Sequence, residues 1–596
     1  MPSYHAPLDD MHFVLHDVHN VAQLGELPGF EEATPDVIDA VLAEAAKVCE
    51  ALLFPLNQSG DAEGCRYENG EVRTPSGFKE AYAQYISAGW TGVAAPIEFG
   101  GQGLPEAVRF VIEEMLCSAN LSFSMYPGLS HGACSALISH GSDELKQRFL
   151  PKLVDGTWTG TMCLTEAHAG TDLGILTTKA IPAGDGAYSI TGTKIFISAG
   201  EQDLTENIVH LVLAKLPNAP GGSKGISMFL VPKYLPTDEG KPGTRNGVTC
   251  GSIEHKMGIK GSATCVLNFD NATGWMVGEE HKGMRAMFTM MNGARLAVGM
   301  QGLGLSEVAY QNALVYAKDR LQGRALTGAK NPSGVADSIL VHPDVRKGLL
   351  RVKAFNEGMR SLAYWVGILI DVEMHHTDAA KREEATDLVA LMTPVIKAFL
   401  TDKGFDGTNI ALQTLGGHGY IREYGIEQYV RDARIAQIYE GTNAVQALDL
   451  VGRKLPMEGG RLVRRFFEMV KSDIDGATTN DAVGEFAKPL SASLLQLQKA
   501  TMMLAERGFA NPDEAGAAAT DYLHLMGYVA VGWQWLKMAT VAERKLAAGE
   551  GEQRFLKAKV KTARFFFARL LPETATLLAA IQSGAAPIMA FTADEF

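Results

Sequence analysis

The amino-acid sequence predicts an α+β multidomain protein in which a β-rich segment separates two helical regions and a further helical block follows. The chain has 596 residues, which is too many for one hydrophobic core. Apolar residues recur at three- and four-residue steps before and after a segment whose short β-rich runs are separated by Gly and Pro. These observations predict helices, then a small sheet domain, then helices again.

Changes in periodicity divide the chain into five predicted parts. The first part ends near the turn-forming sequence LPGFEEATPD. The parts are an N-terminal extension (1–35), an N-terminal helical domain (36–160), a middle β domain (161–282), a helical bundle domain (283–455) and an appended C-terminal helical domain (456–596).

Helical periodicity is clear where the N-terminal helical domain begins. Ile38, Leu42 and Ala45 recur at four- and three-residue steps. Asp36 follows Pro35 and is the predicted N-cap of this helix.

The middle domain has the pattern of a small β-barrel or sandwich. YSITGTKIFIS (188–198) partly alternates, and IVHLVLAKL (208–216) and GISMFLVP (225–232) are rich in β-branched residues. Gly and Pro separate these runs about every ten residues.

Helical periodicity returns in the fourth part and continues to the C-terminus. The apolar positions of one such helix are Leu349, Val352, Phe355, Met359 and Leu362. The segment QRFLKAKVKTARFFFARLLP (553–572) has six basic residues and no acidic residue. It is either an amphipathic membrane-surface helix or, as we favour, a helix whose apolar residues pack into the fold while its lysines are solvated.

Composition restricts the class of protein. The net charge of -14 disfavours nucleic acid or anionic lipid as a partner of the whole surface. Seven scattered cysteines without a CxxC pair predict reduced thiols. The N-terminus has acidic residues and no long apolar run, so the sequence predicts a cytoplasmic protein without membrane association. No metal site is predicted.

Two motifs in the middle domain offer surfaces for a flat ring. In MCLTEAHAGTDLG (162–174), Gly170 lets a ring or phosphate approach the backbone, and Thr165 and Thr171 add hydroxyl groups. In the strand that follows, Phe196 and Ser198 are expected on one face, where they would cover and hydrogen-bond a ring. An ordinary loop and a core phenylalanine are the alternatives.

The segment QTLGGHGYIREYGIEQYVRDARIAQIYEGTN (413–443) is the most informative. Three glycines within four residues, Gly416, Gly417 and Gly419, favour close approach of a ligand over a tight turn alone. Glu440 follows an apolar run, where a carboxylate loses hydration and becomes a stronger base. An exposed loop glutamate is the alternative.

Together these three segments resemble the acyl-CoA dehydrogenase family over about residues 36–455. The resemblance implies FAD-dependent α,β-dehydrogenation of an acyl-CoA thioester to the trans-2-enoyl-CoA. It implies that Glu440 removes the α-proton while FAD accepts the β-hydride. Some members carry the base just before an arginine on an earlier helix, but here Ala294 precedes Arg295, and alanine cannot act as a base.

The resemblance also implies the ligand contacts. The substrate-side residues are Arg295, Thr171 and Gly441, although an interhelical ion pair is the alternative for Arg295. Gln322 stands where the family usually has Phe, which leaves the conformation of its loop open. The implied FAD contacts are Met162, Leu164, Thr165, Gly170, Thr171, Phe196, Ser198, Arg320, Gln322, Gln413, Leu415, Gly416, Gly417, Thr442 and Asn443.

Partners and substrate follow from the same resemblance. It implies an electron-transferring flavoprotein as electron acceptor and a homodimer. The extension and the appended domain resemble a large bacterial subgroup, which implies 3-methylmercaptopropionyl-CoA as substrate and a place in dimethylsulfoniopropionate catabolism. Medium- or long-chain acyl-CoA of fatty acid metabolism, for which the methionines of MFTMMNG (287–293) would line an adaptable pocket, is an alternative. An acyl-CoA oxidase and a DNA-associated flavoprotein on the same fold are further alternatives.

Overall fold

The computed structural model describes residues 2–596, which form two compact units. The helical unit contains the residues up to Ala46, Pro105–Ser118 and Val298–Phe596. The mixed unit contains Lys47–Leu104 and Ala119–Ala297.

The helical unit is built of helices, and in the chain order helices also precede and follow the strands of the mixed unit. One of them, Glu106–His140, contains a non-helical residue, Asn120. In chain order the α-helices are α1 Leu8–His12, α2 Pro35–Lys47, α3 Pro55–Glu63, α4 Phe78–Ser87, α5 Glu106–His140, α6 Asp143–Val154, α7 Gly283–Asp319, α8 Pro343–His375, α9 Ala379–Leu415, α10 Ile426–Arg434, α11 Asn443–Asp449, α12 Arg461–Thr478, α13 Gly484–Ala510, α14 Pro512–Ala548, α15 Gln553–Arg569, α16 Glu573–Ser583 and α17 Ala586–Met589.

The strands all lie in the mixed unit. They are β1 Arg66–Glu68, β2 Glu71–Arg73, β3 Trp158–Cys163, β4 Lys179–Gly184, β5 Ala187–Ser198, β6 Asn207–Lys215, β7 Ile226–Pro232, β8 Tyr234–Pro236, β9 Pro242–Arg245, β10 Val248–Ile253 and β11 Thr264–Val277. Seven strands form one sheet in the order β10-β11-β5-β4-β6-β3, and β7 pairs with both β11 and β6. These pairings close the ring β11-β5-β4-β6-β7, which confirms the predicted barrel.

The apolar core of the mixed unit lies between the barrel and the helices beside it. All but one of the nine residues of β6 are buried, as expected for a strand covered on both faces. Three residues of the methionine-rich segment, Met287, Met290 and Met291, are buried in this core. They fill space inside the mixed unit, which favours the packing interpretation of that segment.

The first long helix is capped two positions earlier than the sequence predicts. α2 begins at Pro35, and the hydroxyl of Thr34 accepts a hydrogen bond from the backbone N–H of Val37 at 3.4 Å. Proline suits the first helical position because its missing N–H would be unpaired there anyway. The assignment of Asp36 as the N-cap was therefore wrong.

The basic segment of the appended domain packs into the helical unit. Val560, Phe566 and Phe567 of α15 are buried, whereas Lys557 and Lys561 are exposed. This favours packing over a membrane-surface helix. Among residues 2–596, no helix combines the length and the apolar character needed to cross a bilayer.

One lysine of this segment is not solvated. Lys559 is 2% exposed and forms ion pairs with Asp10 of α1 and, at 2.9 Å, with Glu357 of α8. The expectation that the lysines of this helix are solvated fails at this position because a buried carboxylate from the N-terminal extension meets it.

Lys559 belongs to a buried charge cluster that joins five helices. At its centre, Arg360 of α8 is 1% exposed. Its guanidinium contacts Asp10, Glu114 of α5 at 2.5 Å and Glu307 of α7 at 3.2 Å. Asp10 thus lies between Arg360 and Lys559, so one carboxylate ties the N-terminal extension to both the bundle and the appended domain.

Replacement of Arg360 by methionine is expected to destabilise the helical unit strongly. The variant leaves three buried carboxylates without their guanidinium partner, which typically costs about 3–5 kcal/mol. Denaturant unfolding followed by tryptophan fluorescence measures the change.

Arg564→Met is the matched control, because Arg564 pairs with Glu485 at 2.8 Å with both side chains about half exposed. An exposed pair of this kind contributes about 0–1 kcal/mol. Equal, small losses in both variants would show that the cluster does not hold the unit together.

Candidate functional site

The candidate base lies in a short loop between two helical segments of the helical unit. Glu440 is half-buried and follows a 3-10 turn over Ile435–Gln437. Its backbone has φ 57°, and Gly441 has φ 83°. The left-handed region is strained for a glutamate and natural for a glycine. Such strain is typical of functional sites, where surrounding contacts hold it in place.

Two hydrogen bonds hold this strained turn. The hydroxyl of Tyr439 donates a hydrogen bond to the side-chain oxygen of Gln301 on α7. The side-chain amide of Gln446 donates to the carbonyl of Glu440 at 3.2 Å. A Cβ at Gly441 would lie 2.6 Å from that amide, so glycine is needed for the close approach. Burial and the charge of Glu440 raise the pKa of Tyr439, which therefore stays a hydrogen-bond donor.

The residues after the glycine fix the other end of the loop. The hydroxyl of Thr442 caps α11 by accepting from the backbone N–H of Val445 at 3.3 Å. Asn443 accepts a hydrogen bond from Lys397 at 2.7 Å and donates to Asp402 at 2.7 Å, both on α9. The structure thus gives these two residues contacts within the protein, and their predicted contact with FAD stays a prediction.

In the glycine-rich turn after α9, some glycines are required by the fold, and some leave the backbone open to a ligand. Gly416 has φ 58°, which requires a glycine, and a Cβ at Gly419 would lie 2.3 Å from the carbonyl of Leu412. Gly417 has neither reason, and no atom lies within 4 Å of a Cβ placed at Gly416 or Gly417. Open backbone at these two positions is what a ligand needs. Gln413 is exposed, whereas Leu415 is buried, so Leu415 can reach a ligand only through its main chain.

The loop that carries Arg320 and Gln322 is organised by an aspartate that the sequence reasoning missed. Asp337 is fully buried and accepts hydrogen bonds from the backbone N–H groups of Ala325, Lys330 and Asn331 at 2.6–2.9 Å. These donors hold its pKa at about 2, although burial opposes the shift. Arg320 and Gln322 are both exposed. The loop is therefore ordered without the phenylalanine that the family usually has at Gln322.

In the mixed unit, the predicted FAD residues group at the end of β3 and around β5. Met162 lies in β3, and Leu164 and Thr165 follow it. Gly170 and Thr171 are exposed, and nothing lies within 4 Å of a Cβ placed at Gly170. This part of the backbone is open to a ligand.

A buried ion pair organises this loop, and the sequence reasoning missed it. Lys194 of β5 is fully buried and donates to the carboxylate of Glu166 at 2.9 Å and to the carbonyl of Leu164 at 3.0 Å. The same carboxylate accepts from the N–H and hydroxyl groups of both Thr177 and Thr178 at 2.6–3.0 Å. Burial alone would raise the pKa of Glu166, but the Thr178 hydroxyl and Lys194 lower it to about 2.

The end of β5 presents an aromatic ring to solvent. Strand pairing with β11 slips between Lys194 and Ile197, and Phe196 adopts φ 59° in this bulge. The bulge interrupts the strict alternation on which the shared face of Phe196 and Ser198 was predicted. Phe196 is 59% exposed, so its ring is accessible to a ligand.

These features fit a flat ring system whose edges accept hydrogen bonds from hydroxyl groups. Phe196 offers a ring face, and open backbone is available at Gly170. Within residues 2–596, the hydroxyls of Thr165, Thr171 and Ser198 make no side-chain hydrogen bond, so they remain for a ligand. The donor set of the mixed unit therefore fits the isoalloxazine of a flavin.

Arg295 lies in the part of α7 that belongs to the mixed unit. It is 8% exposed, and its guanidinium lies 5.7 Å from the ring centre of Phe288. This contact is a cation–π interaction. A role beside the substrate stays a prediction for Arg295.

The sequence matches four family models that together cover most of the chain. Residues 40–157, 161–272 and 281–455 match the N-terminal, middle and C-terminal domains of acyl-CoA dehydrogenase. Residues 466–592 match a domain described as acetyl-CoA dehydrogenase C-terminal like.

Curated relatives align along nearly the whole chain. A 3-methylmercaptopropionyl-CoA dehydrogenase of Ruegeria pomeroyi is 43% identical, with 96% of each chain covered. A butyryl-CoA dehydrogenase of Syntrophomonas wolfei is 38% identical, with 90% of each chain covered. The broad-specificity linear acyl-CoA dehydrogenase FadE5 of Mycobacterium tuberculosis is 34% identical, with 96% of each chain covered.

Solved structures share the fold, including the appended domain. Caenorhabditis elegans ACDH-11 in complex with C11-CoA superposes with a TM-score of 0.78 at 18% identity, covering 95% of this chain and 91% of that one. An acyl-CoA dehydrogenase of Bacillus anthracis complexed with FAD gives 0.75 at 20% identity, covering 94% and 90%.

Replacement of Glu166 by glutamine is expected to weaken the mixed unit at neutral pH and to flatten its acid dependence. The folded state lowers the pKa of Glu166 from 4.5 to about 2. Its stabilising effect is therefore complete above about pH 4.5 and is lost as the pH falls towards 2. Glu166→Gln leaves Lys194 buried without a counter-charge, which costs about 1–3 kcal/mol at pH 7.

Thermal unfolding between pH 7 and pH 3.5 tests this expectation, with the exposed Glu239→Gln as the matched control. The control should keep the acid dependence of the unchanged protein. An acid dependence of Glu166→Gln identical to that of the unchanged protein would contradict the role assigned to this carboxylate.

Proposed function

Because the chain belongs to the acyl-CoA dehydrogenase family, and is therefore an FAD-containing oxidoreductase that acts on acyl-CoA, we propose that Glu440 removes the α-proton of its substrate. The product is the trans-2-enoyl-CoA. The observation that carries the proposal is the strained left-handed turn at Glu440 and Gly441, which three neighbouring side chains hold in one conformation.

The loop gives the carboxylate what a base for a carbon acid needs. Tyr439 and Gln446 hold the backbone around Glu440, so the main chain that carries the carboxylate does not have to be ordered when substrate binds. Partial burial removes water that would otherwise stabilise the carboxylate and weaken it as a base. Ala294, at the alternative position for the base, has no proton acceptor in its side chain.

The thioester oxygen needs a donor as negative charge develops on it. We assign the backbone N–H of Glu440 to this task, together with a hydroxyl of the cofactor, and one such donor is worth about 3 kcal/mol. Bound FAD supplies the redox chemistry by accepting the β-hydride. Phe196, Ser198, Thr165 and Thr171 are the residues of this chain proposed to hold its ring.

We propose 3-methylmercaptopropionyl-CoA as the preferred substrate. The supporting observation is the relative of that name, which is more similar than the butyryl-CoA and broad-specificity linear relatives and aligns over 96% of this chain. The buried methionines of α7 remove one argument for an adaptable pocket for long chains. Medium- or long-chain acyl-CoA is the second candidate, because the FadE5 relative is named for linear acyl-CoA.

The remaining parts of the proposal concern partners. We propose an electron-transferring flavoprotein as electron acceptor, a homodimer as the active assembly and the cytoplasm as its location. Leu326 and Val335 support the dimer, because both are more than 85% exposed in a loop that Asp337 keeps ordered. Ordered, exposed apolar residues of this kind favour an interface between subunits.

Replacement of Glu440 by glutamine is expected to abolish reduction of the flavin by substrate while the protein stays yellow. Glutamine keeps the size of the side chain but cannot accept the α-proton, so the rate of substrate-dependent bleaching should fall by about 10²–10⁴-fold. Stopped-flow absorbance at the flavin band measures this rate. The matched control is the exposed Glu468→Gln, which should bleach normally. Normal bleaching in Glu440→Gln would mean that another residue is the base.

A series of acyl-CoA substrates is expected to separate the two candidate substrates. 3-Methylmercaptopropionyl-CoA has the chain length of pentanoyl-CoA with sulfur in place of one methylene, so pentanoyl-CoA is the matched control. We expect the highest kcat/KM for the thioether, above pentanoyl-CoA and the C4 to C16 straight chains. One methylene in an apolar pocket is worth about 10–200-fold, so the optimum should be sharp. An optimum at C12 or longer would reject the thioether assignment.

A further inference from the structure

We propose that His524, in the appended domain, is a positioning residue for the loop that carries Glu440. His524 on α14 forms a hydrogen bond with Asp402 on α9. Asp402 also accepts hydrogen bonds from Gln437 and Asn443. Gln437 lies three positions before Glu440 in the chain, and Asn443 lies three positions after it. The inference rests on the proposed role of Glu440.

The two oxygens of Asp402 face in different directions. One accepts from the side-chain amides of Gln437 and Asn443, each at 2.7 Å. The other lies 2.9 Å from the Nε2 atom of His524. Because an ionised carboxylate only accepts hydrogen bonds, His524 donates its Nε2 proton to it. Burial alone would raise the pKa of Asp402, but the hydrogen bonds from His524, Gln437 and Asn443 lower it.

Asn443 has one orientation available in this network. Its side-chain oxygen accepts from Lys397, which can only donate, and its amide nitrogen donates to Asp402. A rotation of the carboxylate of Asp402 would therefore break its hydrogen bond from Asn443, whose amide would keep only the hydroxyl of Thr401 at 2.9 Å and the carbonyl of Ala398 at 3.2 Å as acceptors. His524 prevents that rotation by holding the second oxygen.

His524 is itself fixed on α14 by close helix packing. Its ring lies 5.6 Å from the ring of Phe399 on α9, edge to face. One turn further along α14, a Cβ at Gly527 would lie 2.3 Å from the same phenylalanine. The glycine thus lets α14 approach α9 closely enough for the imidazole to reach Asp402.

The consequence for catalysis follows from the strain of the loop. Glu440 keeps its left-handed backbone only while its neighbours are held, and Gln437 and Asn443 limit the five residues between them. A misplacement of a catalytic group by about 1 Å can cost about 10²-fold in rate. Loss of His524 should therefore slow proton removal without changing affinity for acyl-CoA.

The test isolates proton removal from oxidation. An acyl-CoA whose third carbon is replaced by sulfur has no β-hydrogen, so it cannot be oxidised, but its α-protons can still exchange with ²H₂O. In the FAD-loaded full-length protein, NMR measures the exchange rate and titration of the flavin absorbance measures the Kd of the analogue. We expect His524→Leu to slow exchange about 10–100-fold with a Kd within about twofold of the unchanged protein.

The control variants distinguish a positioning role of His524 from a general role in packing the appended domain against the bundle. His524→Gln keeps a donor towards Asp402 and should restore most of the rate. Tyr522 is on the same helix as His524, and Tyr522→Phe removes a partly buried hydrogen bond of 2.7 Å to Thr501 on α13 without touching Asp402, so this variant should exchange normally. Exchange in His524→Leu within about twofold of the unchanged protein would overturn the inference.

Two further variants keep the result interpretable. If His524→Leu does not fold, Gln437→Leu removes the hydrogen bond on the other side of Asp402, and normal exchange in that variant overturns the inference. Glu440→Gln should abolish exchange. Normal exchange in Glu440→Gln would reject the proposed base itself, whereas its loss together with normal exchange in His524→Leu rejects only the positioning role.

Discussion

The left-handed turn at Glu440 and Gly441 is the constraint on which the candidate site depends. A glutamate at φ 57° is disfavoured by about 1–2 kcal/mol, so contacts with the rest of the protein must hold its backbone in this conformation. Three side-chain hydrogen bonds hold the turn. Tyr439 donates to Gln301 of α7, and Gln446 of α11 donates to the carbonyl of Glu440. Asn443, the first residue of α11, donates to Asp402 of α9. Position, rather than an unusual chemical group, is what the fold supplies to this carboxylate, because an ordinary glutamate becomes an effective base for a carbon acid only when it is fixed and poorly hydrated.

The buried charge cluster explains why the two ends of the chain belong to one unit. Asp10 near the N-terminus contacts Arg360 of the bundle and Lys559 of the appended domain. Burial of a single such charge would be costly, so each partner requires the others to be in place. The same appended domain reaches Asp402 through His524. Its helices therefore contact the bundle in two places, one that holds the chain ends and one that adjoins the loop of Glu440.

The sequence was sufficient for features that depend on local pattern. Periodicity predicts the helices, and alternation with regular Gly and Pro predicts the barrel. The resemblance of the segment around Glu440 to the acyl-CoA dehydrogenase family is confirmed by the family models, whereas the role of Glu440 as the base stays a prediction. The sequence was insufficient where function depends on residues far apart in the chain. Asp402 and His524 are separated by 122 positions, and Asp10 and Lys559 by 549, so no local pattern could pair them. The cap at Thr34 was missed for a different reason, because the helix begins at Pro35, two positions before the start implied by an N-cap at Asp36.

Three loops that carry predicted site residues are each held by one carboxylate of low exposure that accepts several hydrogen bonds. Asp402 holds the loop that contains Glu440, Glu166 holds the segment after β3, and Asp337 holds the loop that contains Arg320 and Gln322. Loops lack the repeating backbone pairing of helices and sheets, and a carboxylate with up to four acceptor positions can replace it. In each case the hydrogen bonds lower the pKa although burial opposes this, so the carboxylates stay ionised throughout the neutral range. The loops can thus keep their shape at the pH values where a glutamate must be ionised to accept a proton.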